Sequence, residues 1–397
     1  MAARSAKGTP SWLGAVNDRV GLSALLDHGP LTRNRICEIV GVSKPTASLM
    51  MTRLLAAGVI EERGTVAGSP GRNAALYAAR IDRPLGVAVD VDAAELRATV
   101  VDAAGTEHPV ARFALPSDVA ERDAIAEIRR AIAEASAAAG TDPDAVHTIV
   151  VGTAGYVDPG EEGALFTETL PGWPVLHVRA TLEGALGRTV YIENDVNLAA
   201  VAERDSGAGV DGEVFALVWL GNGVGASFDV AGDLHRGSFG GAGEIGFLPL
   251  SAEARAMDPE AQTVQDLVGG RAVEGFVREA GLPATDHPTA LAALAAAPPE
   301  LRARFIAEFG ERVAHAVLPL LATLDPRQLV LAGPVAAIGG DELARVVQAA
   351  IRRISRWYPE VVATEVREVP VLRGARTYLR AKVREDLLDT VASLVVH

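Results

Sequence analysis

The chain has 397 residues, of which 49% are hydrophobic and 22% charged, a composition typical of a folded protein of two or three domains and not of a disordered one. No apolar run approaches the roughly 18 residues of a membrane helix, and the N-terminal stretch lacks a signal-peptide core, so we expect a cytoplasmic protein without membrane contact. The single cysteine, Cys37, excludes a disulfide framework and a metal site built from several thiolates.

The net charge of −14 is unevenly distributed along the chain. Residues 1–80 contain ten basic and five acidic side chains, whereas the remaining residues contain 27 basic and 46 acidic ones. Because most duplex affinity comes from neutralising phosphates, a nucleic-acid partner requires local positive charge. The split therefore indicates a basic nucleic-acid-binding module joined to an acidic body.

The first eighty residues have the element order of a helix-turn-helix. Apolar residues at near-helical spacing predict a helix over Val16–His28. Thr32 is then expected to cap a short second helix over Arg33–Val40, and Ser43 is expected to cap a third helix. A glycine-containing turn between the second and third helices completes a pattern typical of this motif.

The third helix opens with small hydroxyl-bearing side chains and one lysine, which suit a helix end that enters the major groove. Val59–Arg63 and Ala74–Ala78 are predicted as the strands of a wing, joined by a Gly-, Ser- and Pro-rich loop over Thr65–Asn73 that carries Arg72. The alternative is a helical bundle for protein contacts, and the local charge favours DNA. The residues predicted to contact DNA are Thr32, Ser43, Lys44, Pro45, Thr46, Ser48, Arg53 and Arg72.

The remaining three hundred residues contain two copies of a strand–turn–strand unit. Leu85–Val91 and Leu96–Val101 form the first copy, and Val214–Leu220 and Ala226–Val230 form the second. Each copy stands at the start of an α/β stretch, which implies two related lobes around a cleft. Further predicted elements are helices over Ala120–Ala139, Ala303–Leu324 and about Arg376 to Val395, and strands over Thr148–Gly152, Val190–Ile192 and Leu329–Ala332.

Three stretches of this body carry recognisable motifs, namely VGTAGYVDPGEEGALFTETLPGW (151–173), IENDVNLAAVAE (192–203) and LHRGSFGGAGEIGFLPL (234–250). Together they resemble the ROK family of sugar kinases and sugar-responsive repressors. The resemblance implies an α/β protein with an N-terminal winged helix-turn-helix followed by a two-lobed, actin-like (ribonuclease H-like) sugar-kinase fold. We expect a DNA-binding domain over 1–80, a first lobe over 81–200 completed by the C-terminal helix 376–397, and a second lobe over 201–375.

The turns that hold ATP phosphates in family kinases are altered in this sequence. The family's first turn, D-x-G-G/A-T, is Asp90-Val91-Asp92-Ala93-Ala94, and Asp92 places a negative charge where phosphates would lie, at a cost on the order of a few kcal/mol. The second turn, 220–225, keeps its glycines but lacks the family threonine, and the late Gly-Gly loop has become Gly333-Pro334. We therefore expect these glycines to hold hairpin geometry and the protein to have no kinase activity.

Compared with the family, the sequence lacks the zinc site and keeps part of the sugar site. Phe247 stands where the family has a zinc-binding His, and 251–263 contains neither Cys nor His, so neither a metal nor a cofactor is expected. In family kinases the residue equivalent to Asp195 is the general base of the sugar site. Asp195 would therefore be catalytic only if kinase activity is retained, and otherwise we expect no catalytic residue. By resemblance, the candidate ligand-binding residues are Thr169, Asn194, Asp195, Glu244, Phe247 and Gln265. Alternatively, Asp195 and Glu244 serve only packing or capping.

These features favour a transcriptional regulator, most simply a repressor, that binds operator DNA and a sugar or related metabolite. We expect a homodimer or homotetramer, in which ligand-driven lobe closure changes the spacing of the DNA-binding heads. One alternative is a bifunctional sugar kinase with a DNA-binding head. Another is a ligand-independent DNA-binding protein whose kinase-like body serves only for dimerisation.

Overall fold

The computed structural model describes residues 10–67, 73–160, 162–167, 170–209 and 214–393. Residues 10–67 and 73–79, which we call the head, form a winged helix-turn-helix, as predicted. Its strands pair antiparallel in the order β1-β3-β2. The head elements are α1 (Pro10–His28), β1 (Leu31–Thr32), α2 (Arg33–Val40), α3 (Lys44–Ala56), β2 (Ile60–Ala67) and β3 (Asn73–Ala79).

The helix caps of the head lie where the sequence predicts them. The Thr32 hydroxyl accepts a hydrogen bond from the Arg35 N–H at 3.3 Å, and the Ser43 hydroxyl accepts one from the Thr46 N–H at 3.3 Å. The wing strands are longer than predicted. Thr65, which was assigned to the loop, pairs with Ala75 because β2 continues beyond an irregularity in the pairing.

The first lobe is built on a five-stranded sheet of order β10-β7-β4-β5-β6. Strands β4, β7 and β10 are parallel, whereas β5 and β6 are antiparallel additions. Strand β6 was not predicted. The elements of this lobe are β4 (Leu85–Val91), β5 (Glu95–Val101), β6 (Val110–Ala114), α4 (Ala124–Ala139), β7 (Val146–Thr153), β8 (Tyr156–Val157), β9 (Leu165–Phe166), α5 (Val178–Leu186), β10 (Thr189–Asn194) and α6 (Asp195–Ser206).

The second lobe repeats this topology. Its sheet has the order β13-β12-β11-β14-β15, so in both sheets the first strand lies between the second and the fourth. This repetition confirms the two related lobes. Its elements are β11 (Val214–Leu220), β12 (Val224–Val230), β13 (Asp233–Leu234), α7 (Ala252–Met257), α8 (Val264–Val268), α9 (Gly270–Glu279), α10 (His287–Ala295), α11 (Pro299–Leu324), β14 (Gln328–Ala332), α12 (Pro334–Ile354) and β15 (Glu360–Ala363).

The last helix, α13 (Pro370–Ser393), returns to the first lobe and begins earlier than predicted. It packs on α6 and on the first sheet, and its Leu379, Val383 and Leu387 share one buried cluster with Leu22 of α1. The helix therefore contacts both the first lobe and the head. Among the described helices, none combines the length and apolarity that a membrane span requires.

Candidate DNA-binding face and ligand cleft

The N-terminal end of α3 presents a polar outer side. Ser43, Lys44 and Pro45 are exposed, while Thr46 and Ser48 are half-buried. The opposite side of α3 anchors the helix in the head through buried Ala47, Met50, Met51 and Leu54. This arrangement leaves the first turns of the helix open to a duplex, whose major groove admits one helix.

Two residues of this face were missed by sequence reasoning. Arg33 donates hydrogen bonds to the Ser48 hydroxyl at 3.3 Å and to the Tyr77 hydroxyl at 3.1 Å, so its guanidinium lies beside α3. Leu49 is 63% exposed on α3. The sequence features that could have identified them are a basic residue at the first position of α2 and a leucine outside the apolar stripe of α3.

Arg53 has a different environment from the one expected of a DNA contact. Its Nε and Nη2 donate to the two carboxylate oxygens of Asp18 at 2.7 and 2.6 Å, and only 1% of the Asp18 side chain is exposed. The pair joins α3 to α1 and gives Arg53 a structural role in the head, while its contact with DNA stays a prediction. Arg72 lies outside the described residues, and Thr32 caps α2.

The candidate ligand cleft lies where the parallel strands of the first sheet end. Because β4, β7 and β10 run in the same direction, their carboxyl ends bring Asp90 and Asp195 to one edge of the sheet. Burial raises the pKa of Asp195 to about 7, and the negative charges of Asp90 and Glu244 contribute to the rise. Burial likewise raises the pKa of Asp90 to about 6 despite its 3.0 Å ion pair with Arg97.

The carboxyl groups of Asp90 and Asp195 can both donate and accept hydrogen bonds near neutral pH. A carboxyl with a pKa near 7 is protonated in about half of the molecules, and the protonated form supplies an O–H donor. Hydroxyl groups of a polyol need both donors and acceptors. The cleft formed by Asp90, Asp195 and Glu244, which we call the carboxylate cleft, therefore has chemistry suited to a sugar.

The neighbouring predicted residues are less available than their resemblance implies. The Asn194 side-chain amide donates to the Gly155 carbonyl at 3.0 Å, and its oxygen caps α6 by accepting from the Asn197 N–H at 3.0 Å. Phe247 is 70% exposed and follows Glu244 in a short 3₁₀ turn. Thr169 lies outside the described residues.

Both the oxygen and the nitrogen of the Gln265 side-chain amide are hydrogen-bonded to the backbone of the second glycine turn. Its oxygen accepts from the Val224 N–H at 2.9 Å, and its nitrogen donates to the Asn222 carbonyl at 2.6 Å. These bonds fix the turn between β11 and β12. Gln265 therefore has a structural role in holding this turn, while its contact with a ligand stays a prediction.

In two of the turns that correspond to the family's phosphate turns, one backbone N–H is hydrogen-bonded to a side chain of the protein. In the first turn, the Asp92 carboxylate accepts from the Ala93 N–H at 2.6 Å. In the second turn, Gln265 occupies the Val224 N–H. Gly333 precedes α12, whose first residue, Pro334, has no N–H to offer.

The ENDVNLAAVAE motif joins the lobes through α6. Glu193 pairs with Arg236 of the second lobe at 2.7 Å, and buried Asn197 accepts from the Ser227 hydroxyl at 2.8 Å. The last residue of the motif, Glu203, accepts from the Val366 N–H at 3.1 Å. Within the described ranges, no group of three or more His, Cys, Asp or Glu residues could hold a metal ion.

Comparison with known proteins agrees with this architecture. The model of the ROK family matches residues 86–380. A putative xylose repressor from Caldicellulosiruptor sp. (strain Rt8B.4) is 24% identical over 243 residues, which are 61% of this chain and 61% of that protein. The chain thus matches about three fifths of the length of this curated relative.

Two solved structures share the fold. A ROK family transcriptional regulator, described as a homologue of the E. coli MLC protein, superposes with a TM-score of 0.68 at 19% identity, over 97% of this chain and 99% of that one. The ROK hexokinase from Thermus thermophilus superposes with a TM-score of 0.58 at 26% identity, over 75% of this chain and 99% of that one. With the family match over most of its length, the chain belongs to the ROK family.

Proposed function

We propose that this protein is a transcriptional regulator that binds operator DNA through the outer side of α3 and responds to a sugar or related metabolite without phosphorylating it. The observation that carries the proposal is the exposed first turn of α3 with Lys44, on a head joined to a kinase-like body whose phosphate turns are internally bonded. The xylose-repressor relative and the regulator of the same fold support it.

The contact between the head and α13 supports communication between the body and DNA. Arg384 of α13 donates to the Asp27 carboxylate of α1 at 2.6 and 2.9 Å and to the Ser23 hydroxyl at 3.2 Å. Arg19 of α1 pairs with Asp389 of α13. Because α13 also packs on α6, lobe movements would reach the head through this helix.

Operator binding is tested by fluorescence anisotropy with DNA from upstream of the protein's own gene. We expect sequence-preferring binding that weakens steeply with salt. Lys44→Gln should weaken it at least about tenfold and reduce the salt dependence, because a phosphate contact is lost. Arg304→Gln, which removes an exposed charge paired with Glu308 in the second lobe, is the matched control and should change nothing. Absence of specific DNA binding would refute the proposal.

Ligand binding in the carboxylate cleft is tested by thermal-shift screening with neutral sugars, sugar phosphates and amino sugars. A ligand of the native state should raise the unfolding temperature in proportion to the logarithm of its concentration. Asp195→Asn should abolish the shift produced by a cleft ligand, because the carboxyl is lost. A complete absence of shifts alongside intact operator binding would favour the ligand-independent DNA-binding protein.

A bifunctional sugar kinase is the second candidate, and the environment of Asp195 favours it. A carboxyl with a pKa near 7 is suited to remove a proton from a hydroxyl at neutral pH. The internal bonds of Asp92 and Gln265 oppose it, since they occupy amides that would hold phosphate. Isothermal titration with Mg-ATP separates the two, because micromolar affinity would favour the kinase.

We also propose that the functional units are the DNA-binding domain 1–80, the first lobe 81–200 with 376–397, and the second lobe 201–375. The break between β3 and β4 supports the first boundary, and the return of α13 to the first sheet supports the second unit. A homodimer or homotetramer would present two or more heads to a pseudo-palindromic operator. Sedimentation equilibrium measures the oligomeric state.

A further inference from the structure

A second cavity lies beside the carboxylate cleft, where the first lobe, α13 and a loop of the second lobe meet. It has a volume of about 150 Å³ and is lined in part by Tyr156, Tyr191, Tyr378, Glu193, Asn194 and Arg236. At roughly 30 Å³ per water molecule, this is room for on the order of five waters, close to the size of one monosaccharide. None of its three tyrosines is among the residues predicted from the sequence to bind a ligand.

The lining of this cavity carries one ion pair, Arg236 with Glu193, whereas the carboxylate cleft is formed by three acidic groups. Glu193 is satisfied, because it accepts from Arg236 at 2.7 Å, from the Asn194 N–H at 3.1 Å and from the Asn197 side chain at 2.9 Å. Arg236 uses only Nε for Glu193, and 41% of its side chain remains exposed. Lys382 lies next to two of the cavity walls, with Nζ 5.5 and 5.8 Å from the ring centres of Tyr191 and Tyr378.

The tyrosines provide apolar walls with polar edges. Tyr191 and Tyr378 meet edge to face with ring centres 6.0 Å apart, and Tyr156 stacks on Phe166 with ring centres 4.9 Å apart. Rings packed in this way are held in place and present flat faces to a ligand, while their hydroxyls can bond to it. A few charged groups among aromatic walls are typical of small-molecule sites.

We propose that this cavity is a second ligand site, which takes a monosaccharide-sized anion with its phosphate or carboxylate on Arg236 and its sugar ring against the tyrosines. An anionic group would be repelled by Asp90, Asp195 and Glu244, whereas in this cavity the charge of Glu193 is already paired and the exposed part of Arg236 can bind an anion. The anion thus belongs in this cavity and a neutral hydroxyl-bearing ligand in the cleft.

The position of Tyr378 connects the site to the head, and this part of the proposal rests on the proposed function. Tyr378 and Arg384 are six residues apart on α13, about 9 Å at 1.5 Å per residue. Arg384 holds α1 through Asp27, so the cavity wall and the contact with the head share one helix. A ligand that shifts Tyr378 would therefore alter how α13 holds the DNA-binding head.

The test is isothermal titration of the full chain with glucose 6-phosphate and glucuronate, and with glucose and inorganic phosphate for comparison. Both anionic sugars should bind, and Arg236→Gln should weaken them at least tenfold. Arg236→Lys should retain much of the binding, Tyr378→Phe should weaken it several-fold, and Arg304→Gln should leave it unchanged. If Arg236→Gln does not fold, the lysine and phenylalanine variants carry the test.

Several outcomes would overturn the proposal. Equal affinity in the wild type and Arg236→Gln, or no binding of either anionic sugar, refutes the site. Inorganic phosphate binding as tightly as glucose 6-phosphate refutes the role of the tyrosines. Operator affinity is measured separately without ligand, so a protein that binds the anion but not DNA refutes the proposed function and leaves the site intact. An operator affinity that ignores a bound anion refutes the coupling through α13.

Discussion

Replacing Arg53 should destabilise the head, not remove a DNA contact. The guanidinium makes two hydrogen bonds to Asp18, whose side chain is 1% exposed, so Arg53→Gln would leave a buried carboxylate without its cation. Breaking a buried pair in this way costs about 3 to 5 kcal/mol. Because 41% of the Arg53 side chain is in contact with water, we expect a loss of about 3 kcal/mol in the free energy of unfolding of the head.

Hydrogen–deuterium exchange of α1 and α3 peptides in the full chain measures this loss. Since 1.4 kcal/mol corresponds to a factor of ten, exchange should accelerate on the order of a hundredfold in Arg53→Gln. The double variant Asp18→Asn/Arg53→Gln should recover most of the protection, because two neutral amides replace the unpaired charge. Arg35→Gln, which removes an exposed pair with Glu38, is the matched control for stability.

The double variant also separates stability from DNA contact. If Arg53 acts only through Asp18, operator affinity should recover together with the exchange protection. A double variant that regains protection but still fails to bind the operator would refute the reasoning and restore Arg53 as a DNA contact. Unchanged exchange in Arg53→Gln would refute it as well.

Three further predictions concern the body. Asp195 keeps a proton in the folded state up to about pH 7, whereas the unfolded chain loses it near pH 4. The free energy of unfolding should therefore rise as pH falls from about 7 to about 4. Asp195→Asn should flatten this pH dependence in a series of thermal denaturations. Arg384→Ala should loosen the head by about 1 kcal/mol and speed α1 exchange several-fold, whereas Arg353→Ala should not. Asp92→Gly should not create Mg-ATP binding in calorimetry, because Gln265 still occupies its turn.

Local chemistry made much of the fold predictable. The Thr32 and Ser43 caps follow from side chains that bond to amides three residues away, and such pairs are visible in the sequence. The paired strand–turn–strand units predicted two lobes because each repeats the same alternation of buried strand and turn. The short strands β6 and β15 were missed, since a few residues at a sheet edge carry too weak a pattern to be distinguished from loop.

The sequence did not reveal the protein partners of two predicted site residues, because those partners are distant in the chain. Gln265 bonds to a turn 41 residues earlier, and Arg53 pairs with a carboxylate 35 residues away. Residue type and a family motif indicate what a side chain could bind, but the fold decides which partner reaches it first. Conversely, the Arg236–Glu193 pair and the tyrosines of the second cavity come together from four separate segments, so no single motif could reveal them.

The ion pairs of the head also limit how many of its basic side chains can contact phosphates. Among its described residues, Arg19, Arg35, Arg53 and Arg63 each pair with a carboxylate, whereas Arg33 and Lys44 do not. Counted over the described residues alone, these two cations per head give about four phosphate contacts in a dimer, which predicts a slope of about −4 for the logarithm of operator affinity against the logarithm of salt concentration. Anisotropy titrations at salt concentrations between about 50 and 200 mM measure this slope. A slope near −8 would mean that the paired arginines exchange their carboxylates for phosphates, and a slope near zero would exclude DNA binding through this face.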